Sequence, residues 1–425
     1  MRTKFIYLTA VLLSALYCVE SAGQDFIREK YRPLASMMSD GGLQPPTTGN
    51  DIEIIIEGMR KFDLLCADLS RASRDINIEY YRFSGDEDCT VIRDILCERS
   101  RNGVQVRFAN ENLINTSVPK AFYKPMLDSG IEIENYSTPW SPASFLWCTL
   151  VQNHRKTVTI DGKVGYIGGM NIDQKYFHSW RDTHLRIAGP AVGYLQDVFF
   201  DTWKDKAGTL KDGTPRDGST PQASPDTASL PRLSLELSPL AMQDKIVQIV
   251  SGRPTFRKGI IEKSYVWALD NAQEYIYIQS PYFVPTRPLR RSFKAAARRG
   301  VDVRIIVPQE SDIKLMRDLA RSYYGPLIKS GVLIYEKGGA FIHSKTFVTD
   351  DYLSCIGSAN WDWRSLRLNY EDNAYIYDGQ AALQCRAIWE DDAEECTPVT
   401  IRTVRHWGLP YRFYQKALRL LAHLF

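Results

Sequence analysis

The sequence predicts an α/β protein of two similar halves, each a mixed and largely parallel sheet flanked by helices, with one shared site at their interface. Two observations carry this: a chemical motif written twice at fixed spacing, and an order of strands and helices that repeats around it. His154-Arg155-Lys156 followed by Asp161, Gly168 and Asn171 recurs as His343-Ser344-Lys345 followed by Asp350, Gly357 and Asn360. All five matching positions are displaced by the same 189 residues, and so are the later acids Asp182 and Glu371. One His-x-Lys carries little information. Two copies with identical internal spacing imply a duplicated unit that sets two imidazoles and two ammonium groups across an interface.

In the first half, a helical stretch around Phe62 to Ala72 leads into a strand over Ile76 to Tyr81. A helix from Cys89 to Arg101 stops at Gly103, a strand runs from Val104 to Phe108, a second helix stops at Gly130, and another strand starts at Ile131. The second half repeats this order with a helix around Ile260 to Asn271, a strand from Tyr275 to Gln279, a helix closing at Gly300, a strand from Val301 to Val307 and a helix closing at Gly331. Glycine follows these helices because it accepts the left-handed conformation of a helix stop.

After each His motif, a strand carrying His-x-Lys, a turn at the Asp and a strand running into Gly168-Gly169 or Gly357-Ser358 read as a hairpin. Alternate residues of a strand share a face, so His154 lies beside Lys156 and His343 beside Lys345. Gly130 and Gly331 are 201 residues apart, so the first half carries 12 extra residues before its motif. They fall in the segment from Ser137 to Trp147, which includes Trp140 and Phe145 and reads as an aromatic, proline-rich loop reaching the mouth of the site.

At 425 residues the chain has room for two domains of ordinary size. Hydrophobic residues at 44% and charged residues at 24% exclude overall disorder. A net charge of +3 suits an anionic substrate or surface but lacks the excess of a dedicated nucleic-acid binder. Residues 1–23, with Arg2, Lys4 and an apolar run from Phe5 to Cys18, read as a signal peptide cut near Gly23 or a short uncleaved anchor. The first domain is expected over 45–204, a flexible Gly/Pro/Ser-rich linker over 205–243, the second domain over 244–397 and a basic amphipathic segment over 398–425. That last segment reads equally as an interfacial helix or as a helix packed on the core. Arg287, Arg290, Arg291 and Lys294 read as a solvated helix face. Seven cysteines remain after Cys18, without zinc-ligand spacing, so no metal is expected, while one or two disulfides stay open.

The chemistry follows from the residue types. A phosphodiester resists nucleophiles because its oxygens are negative, so Lys156, Asn171, Lys345 and Asn360 aimed at those oxygens would neutralise charge and fix the phosphorus. A neutral imidazole can then attack while the other, protonated, gives its proton to the leaving alkoxide. Asp182 lies 28 residues after His154, and Glu371 lies 28 after His343. A carboxylate in such a place fixes the tautomer and steadies the imidazolium. Asp161 and Asp350, at the hairpin turns, read as structural.

These residues resemble the phospholipase D superfamily, whose His-x-Lys-x4-Asp motif occurs twice in single-chain members, and the resemblance covers roughly residues 50 to 425. Within it, the chain is similar to bacterial cardiolipin synthases through Asn77-Ile-Glu-Tyr-Tyr, Asn153-His-Arg-Lys, Gly168-Gly-Met-Asn-Ile, the run from Trp180 to Val192, Gln279-Ser-Pro-Tyr-Phe-Val-Pro and Arg364-Ser-Leu-Arg-Leu-Asn-Tyr-Glu. The resemblance implies two phospholipase D-like halves and a catalytic set of His154, Lys156, Asp161, Asp182, His343, Lys345, Asp350 and Glu371. It implies transfer of a phosphatidyl group between two phosphatidylglycerol molecules, through a phosphohistidine on His154 or, in the reversed assignment, on His343. No cofactor and no metal are implied. The partners are phospholipid and a peripheral membrane surface, not nucleic acid, and the place is the cell envelope. Many such synthases begin with two membrane-spanning helices, and this chain has only its short N-terminal run. Three other readings stay open: a phospholipase D in which water is the acceptor, a secreted nuclease, and a lipid-binding protein without catalysis.

Overall fold

The computed structural model describes residues 27–137, 141–207, 241–255 and 257–424. The N-terminal targeting segment, Trp140 and all but the ends of the 205–243 linker therefore lie outside the described residues. The linker's described ends are regular structure, since the helix Ala191–Ala207 runs into it and a strand begins at Met242.

The first half contributes strands β1 (Thr47–Ile55), β2 (Asp75–Tyr80), β3 (Gln105–Glu111), β4 (Glu132–Tyr136), β5 (Lys156–Ile160), β6 (Val164–Gly168) and β7 (His184–Ala188). The second half contributes β8 (Met242–Gly252), β9 (Tyr275–Gln279), β10 (Phe283–Val284), β11 (Asp302–Pro308), β12 (Leu333–Lys337), β13 (Thr346–Thr349), β14 (Leu353–Gly357), β15 (Trp361–Asp362), β16 (Glu371–Tyr377) and β17 (Cys396–Val399). Apart from the small pair β10–β15, they form one 15-stranded sheet in the order β17-β12-β11-β9-β13-β14-β16-β8-β1-β7-β6-β5-β2-β3-β4. The antiparallel β1–β8 pair is the seam, and the order reads the same outward from it on both sides except that the second half adds β17 at its edge.

The mixed α/β fold of two like halves is as the sequence predicts, but the proportion of parallel pairing is corrected. Parallel neighbours occur in the main sheet only at β2–β3–β4 and β9–β11–β12, where helices cross over between strands. The motif hairpins β5–β6 and β13–β14 and their neighbours are antiparallel, and they occupy the centre. Short connections can only join antiparallel strands, which is why these hairpins bring the site residues to the middle of the sheet.

Helix ends follow local chemistry. Asp86 accepts from the Cys89 amide to start Glu87–Arg101, and Asp378 accepts from the Ala381 amide to start Gly379–Glu394. Gly103, Gly130, Gly300 and Gly331 all take positive φ after their helices. Each half buries its own core, and a further cluster joins them, with Ile52 and Leu185 of one half packed in one body with Val247, Ile376 and Trp389 of the other.

From Pro142 onward the segment expected as a loop is helical instead. Pro142–Leu150 is helical, with Ser141 and Ser144 forming a reciprocal capping box and Pro142 in the first turn, where its missing N–H costs nothing. All seven described cysteines are free thiols. Among the described residues no helix is long and apolar enough to cross a membrane.

Candidate active site

Two short cross-half bridges build the site. Asn153 pairs with Tyr370 and Ile342 pairs with Arg181, each across the seam and each displaced from the other by the repeat. The His154 amide donates to the Tyr370 carbonyl at 3.0 Å and the His343 amide to the Arg181 carbonyl at 2.7 Å. Each motif backbone is thereby tied to the residue just before the acid of the opposite half. The consequence is an exchange of partners: His154 Nδ1 lies 2.9 Å from both oxygens of Glu371, and His343 Nδ1 lies 2.6 Å from Asp182 Oδ2.

Both imidazoles line one cleft of about 370 Å³, together with Asn171 and Asn360. Lys156 and Lys345 are buried behind them. Lys156 Nζ donates to the His154 carbonyl at 2.6 Å, and Lys345 Nζ rests against the His343 ring, 2.8 Å from Nδ1 and 3.1 Å from Nε2. The repeated glycines have a spatial cause. A Cβ on Gly168 would fall 2.6 Å from His184 Cα, and one on Gly357 would fall 1.9 Å from Asn373 Oδ1.

Electrostatics separate the two imidazoles. Burial, then Lys156, Lys345 and Arg364, holds His154 well below the usual imidazole range. Burial and Lys345 push His343 down to about 3, against Asp182, which favours the cation by charge and by hydrogen bond. Glu371 is pushed up to about 7 by burial, against Lys156, while Ser358 and Asn369 donate to its oxygens. Burial lowers Lys156 well below its usual range and Lys345 to about 8. A phosphate anion in the cleft supplies negative charge beside the two imidazoles and the two lysines, so its binding raises the proton affinity of all four.

Asp161 and Asp350 lie at the hairpin turns and not in the cleft. Asp161 accepts from the amides of Ser73, Arg74 and Asp75, and Asp350 from those of Gln273, Glu274 and Tyr275, which anchors each hairpin turn at positive φ to the start of β2 or β9. Their oxygens are occupied by these bonds, and neither residue lines the cleft.

The model of the family described as "Cardiolipin synthase, PLD-like domain" matches residues 65–203 and 265–393, which hold the two His motifs and their acids. A cardiolipin synthase of a Geobacillus species is 34% identical over 94% of this chain and 77% of its own length. The major cardiolipin synthase of Bacillus subtilis is 32% identical over 88% of this chain and 76% of its own. The chain belongs to the cardiolipin synthase family of phospholipase D-like proteins. Its fold is shared with the phosphatidylserine synthase of Haemophilus influenzae at TM-score 0.63 and 14% identity, covering 92% of this chain and 100% of that one.

Several cleft residues of this family member were not legible beforehand. Tyr81 stands edge-on to His154 at 4.7 Å, and Tyr176 and Trp180 flank His343 at 5.2 and 5.4 Å. Arg364 lines the cleft and donates to the Thr149 carbonyl and to Gln152 Oε1, both at 2.6 Å. It thereby ties the helix Pro142–Leu150 to the cleft wall, although the rings of Phe145 and Trp147 are about half exposed, at 52% and 51%, and are not part of that wall. Lys61, wholly buried, donates to the Met170 carbonyl at 2.7 Å, and burial lowers its amine to about 7. In the second half the matching carbonyl, of Ala359, takes its bond from Tyr265 instead. Both contacts fix the backbone that presents the cleft asparagines.

The residue between His and Lys also crosses the seam. Arg155 Nε donates to Asp372 Oδ1 at 2.9 Å and its Nη2 to Ser251 at 2.6 Å, with both charges buried. At the matching place Ser344 meets Thr183 at 3.0 Å. Arg155→Ala leaves Asp372 buried without its ion-pair partner and is expected to cost roughly 3–5 kcal/mol in urea unfolding, whereas Ser344→Ala should cost about 1 kcal/mol.

Proposed function

We propose that this chain is a phosphatidyltransferase that joins two phosphatidylglycerol molecules into cardiolipin and releases glycerol, working at a membrane surface of the cell envelope. The observation that supports it most is the pair of imidazoles on one cleft, each backed by a carboxylate and a lysine. His154 is the nucleophile. With its Nδ1–H donated to Glu371, Nε2 presents a lone pair to phosphorus, and the bond from phosphorus to the glycerol oxygen breaks. His343 is the acid, because Asp182 steadies its cation once the anionic phosphate has raised its proton affinity, and its proton goes to the departing glycerol. In the second step neutral His343 takes the proton of a glycerol hydroxyl on another phosphatidylglycerol. That oxygen attacks phosphorus and frees His154.

The walls fit lipid better than polynucleotide. Ile313 and Met316 provide apolar surface, while Asp173, Asp312 and Asp362 offset Arg82, Lys175 and Arg364, so the walls hold no excess of cations for a run of phosphates. The test is to incubate the purified protein with phosphatidylglycerol and separate the lipids. Cardiolipin with an equivalent of glycerol is expected. Phosphatidic acid would replace the transferase by a hydrolase, and no lipid turnover would overturn the reading.

The pH dependence follows from Glu371 and Lys345. Glu371 must be ionised to accept the Nδ1–H of His154, so kcat/KM on a phosphodiester whose leaving group needs no proton from His343 rises with pH through about 7. Lys345 must be charged to hold phosphate, so kcat/KM falls as pH climbs through about 8. Lys345→Arg, which keeps its charge, should lower the maximum and remove the alkaline limb.

A further inference from the structure

The C-terminal helix Leu409–Leu418 and the 3-10 turn Arg419–Leu424 present an unusual distribution of apolar residues. Leu418 and Ala422 pack against Met316, Leu319 and Tyr323 of the helix Lys314–Ile328. On the opposite side Leu409, Phe413 and Leu420 are 78%, 76% and 82% exposed. Single exposed apolar residues are ordinary, but three large ones along one side of a short helical segment make a patch. The charge that this segment itself carries has one sign: no acid follows Glu395, and Arg402, Arg405 and Lys416 are exposed, while Asp318 of the neighbouring helix is buried and bonded to Tyr411.

The patch flanks the cleft. Met316, beneath the C-terminal helix, is itself a cleft residue, and the 3-10 turn packs on the helix Trp363–Arg367, whose Arg364 and Ser365 also line the cleft. The same Arg364 holds the helix Pro142–Leu150, which carries half-exposed Phe145 and Trp147. Two apolar patches from distant parts of the chain are thus held next to one opening through the short helix Trp363–Arg367.

We propose that the outer side of Leu409–Leu418 and the following turn, together with Phe145 and Trp147, is the surface that docks the protein on an anionic phospholipid bilayer and turns the cleft toward the headgroups. The apolar side chains enter the headgroup and acyl boundary while the basic residues meet anionic lipid, the combination by which interfacial helices bind. The orientation of the cleft rests on the phosphatidyltransferase reading; the docking surface does not.

The test is flotation with vesicles of phosphatidylglycerol or of phosphatidylcholine, using the full chain and the triple variant Leu409→Asp, Phe413→Asp, Leu420→Asp. Wild type is expected to float with phosphatidylglycerol vesicles and much less with phosphatidylcholine. The triple variant should lose roughly a hundredfold in partitioning, with unchanged melting temperature and unchanged turnover of phosphatidylglycerol dispersed in detergent. Equal flotation of variant and wild type overturns the surface, and equal binding to both lipids overturns its anionic preference. A wild-type dimer that the variant breaks while still floating makes the patch a self-association face and overturns the proposal. Flotation as expected with no turnover in detergent leaves the docking surface standing and removes the phosphatidyltransferase reading.

Discussion

His154→Ala and His343→Ala are each expected to lower cardiolipin formation roughly ten-thousand-fold or more, because each removes a group that no neighbour replaces. The two losses differ in kind. With a phosphodiester whose leaving group departs without a proton, such as nitrophenolate, His343→Ala should still release about one equivalent in a burst and carry labelled phosphorus on His154. His154→Ala should show no burst. The difference arises from what surrounds each ring: burial, then Lys156, Lys345 and Arg364, keep His154 neutral, whereas at His343 Asp182 opposes burial and Lys345 by favouring the cation. A burst in His154→Ala but not in His343→Ala would exchange the roles, and labelled protein in neither would remove the phosphohistidine. Circular dichroism of both variants should match wild type, since each ring borders the cleft and alanine removes no backbone bond that builds the fold.

Much of this arrangement could be read in the sequence because its signals are local. The strand Tyr275–Gln279 and the helix Ile260–Asn271 coincide with their predicted spans, and the four glycine stops fall where a positive φ is needed. Other features were hidden for physical reasons. The sheet proved mostly antiparallel because the motif hairpins and the β1–β8 seam, not the crossover helices, occupy its centre. Pro142 signalled a loop by composition, yet after Ser141 it stands at the one helical position that proline favours. Lys61 stands just before the helical stretch expected from Phe62, and no matching lysine in the second half marks it, since Tyr265 does the corresponding work there.

The exchange of acids was hidden for a deeper reason. In a duplicated sequence every matched pair is displaced by the same number of residues, so spacing is identical whether each histidine takes the acid of its own half or of the other. Only the pairing of backbones at Asn153–Tyr370 and Arg181–Ile342 decides it, and those bridges cross the seam. The acid of one half therefore governs the imidazole of the other, and neither half alone carries a complete His–acid pair.

That exchange predicts which acid serves which step. Asp182→Asn removes the charge that steadies the cation of His343, so transfer from phosphatidylglycerol should fall roughly a thousandfold or more, while a leaving group that needs no proton should restore most of the first step. Glu371→Gln instead disturbs the Nδ1–H bond that fixes His154 as a nucleophile, so it should slow both substrates and suppress the burst. It should also remove the acid limb of the pH profile, since the group pushed up to about 7 is gone. If each acid served the histidine of its own half, the pattern would invert, with Glu371→Gln rescued by the activated ester and Asp182→Asn not. The two variants on two substrates thus read out the geometry at the seam through kinetics alone, because a lost general acid is forgiven by a good leaving group and a lost nucleophile is not.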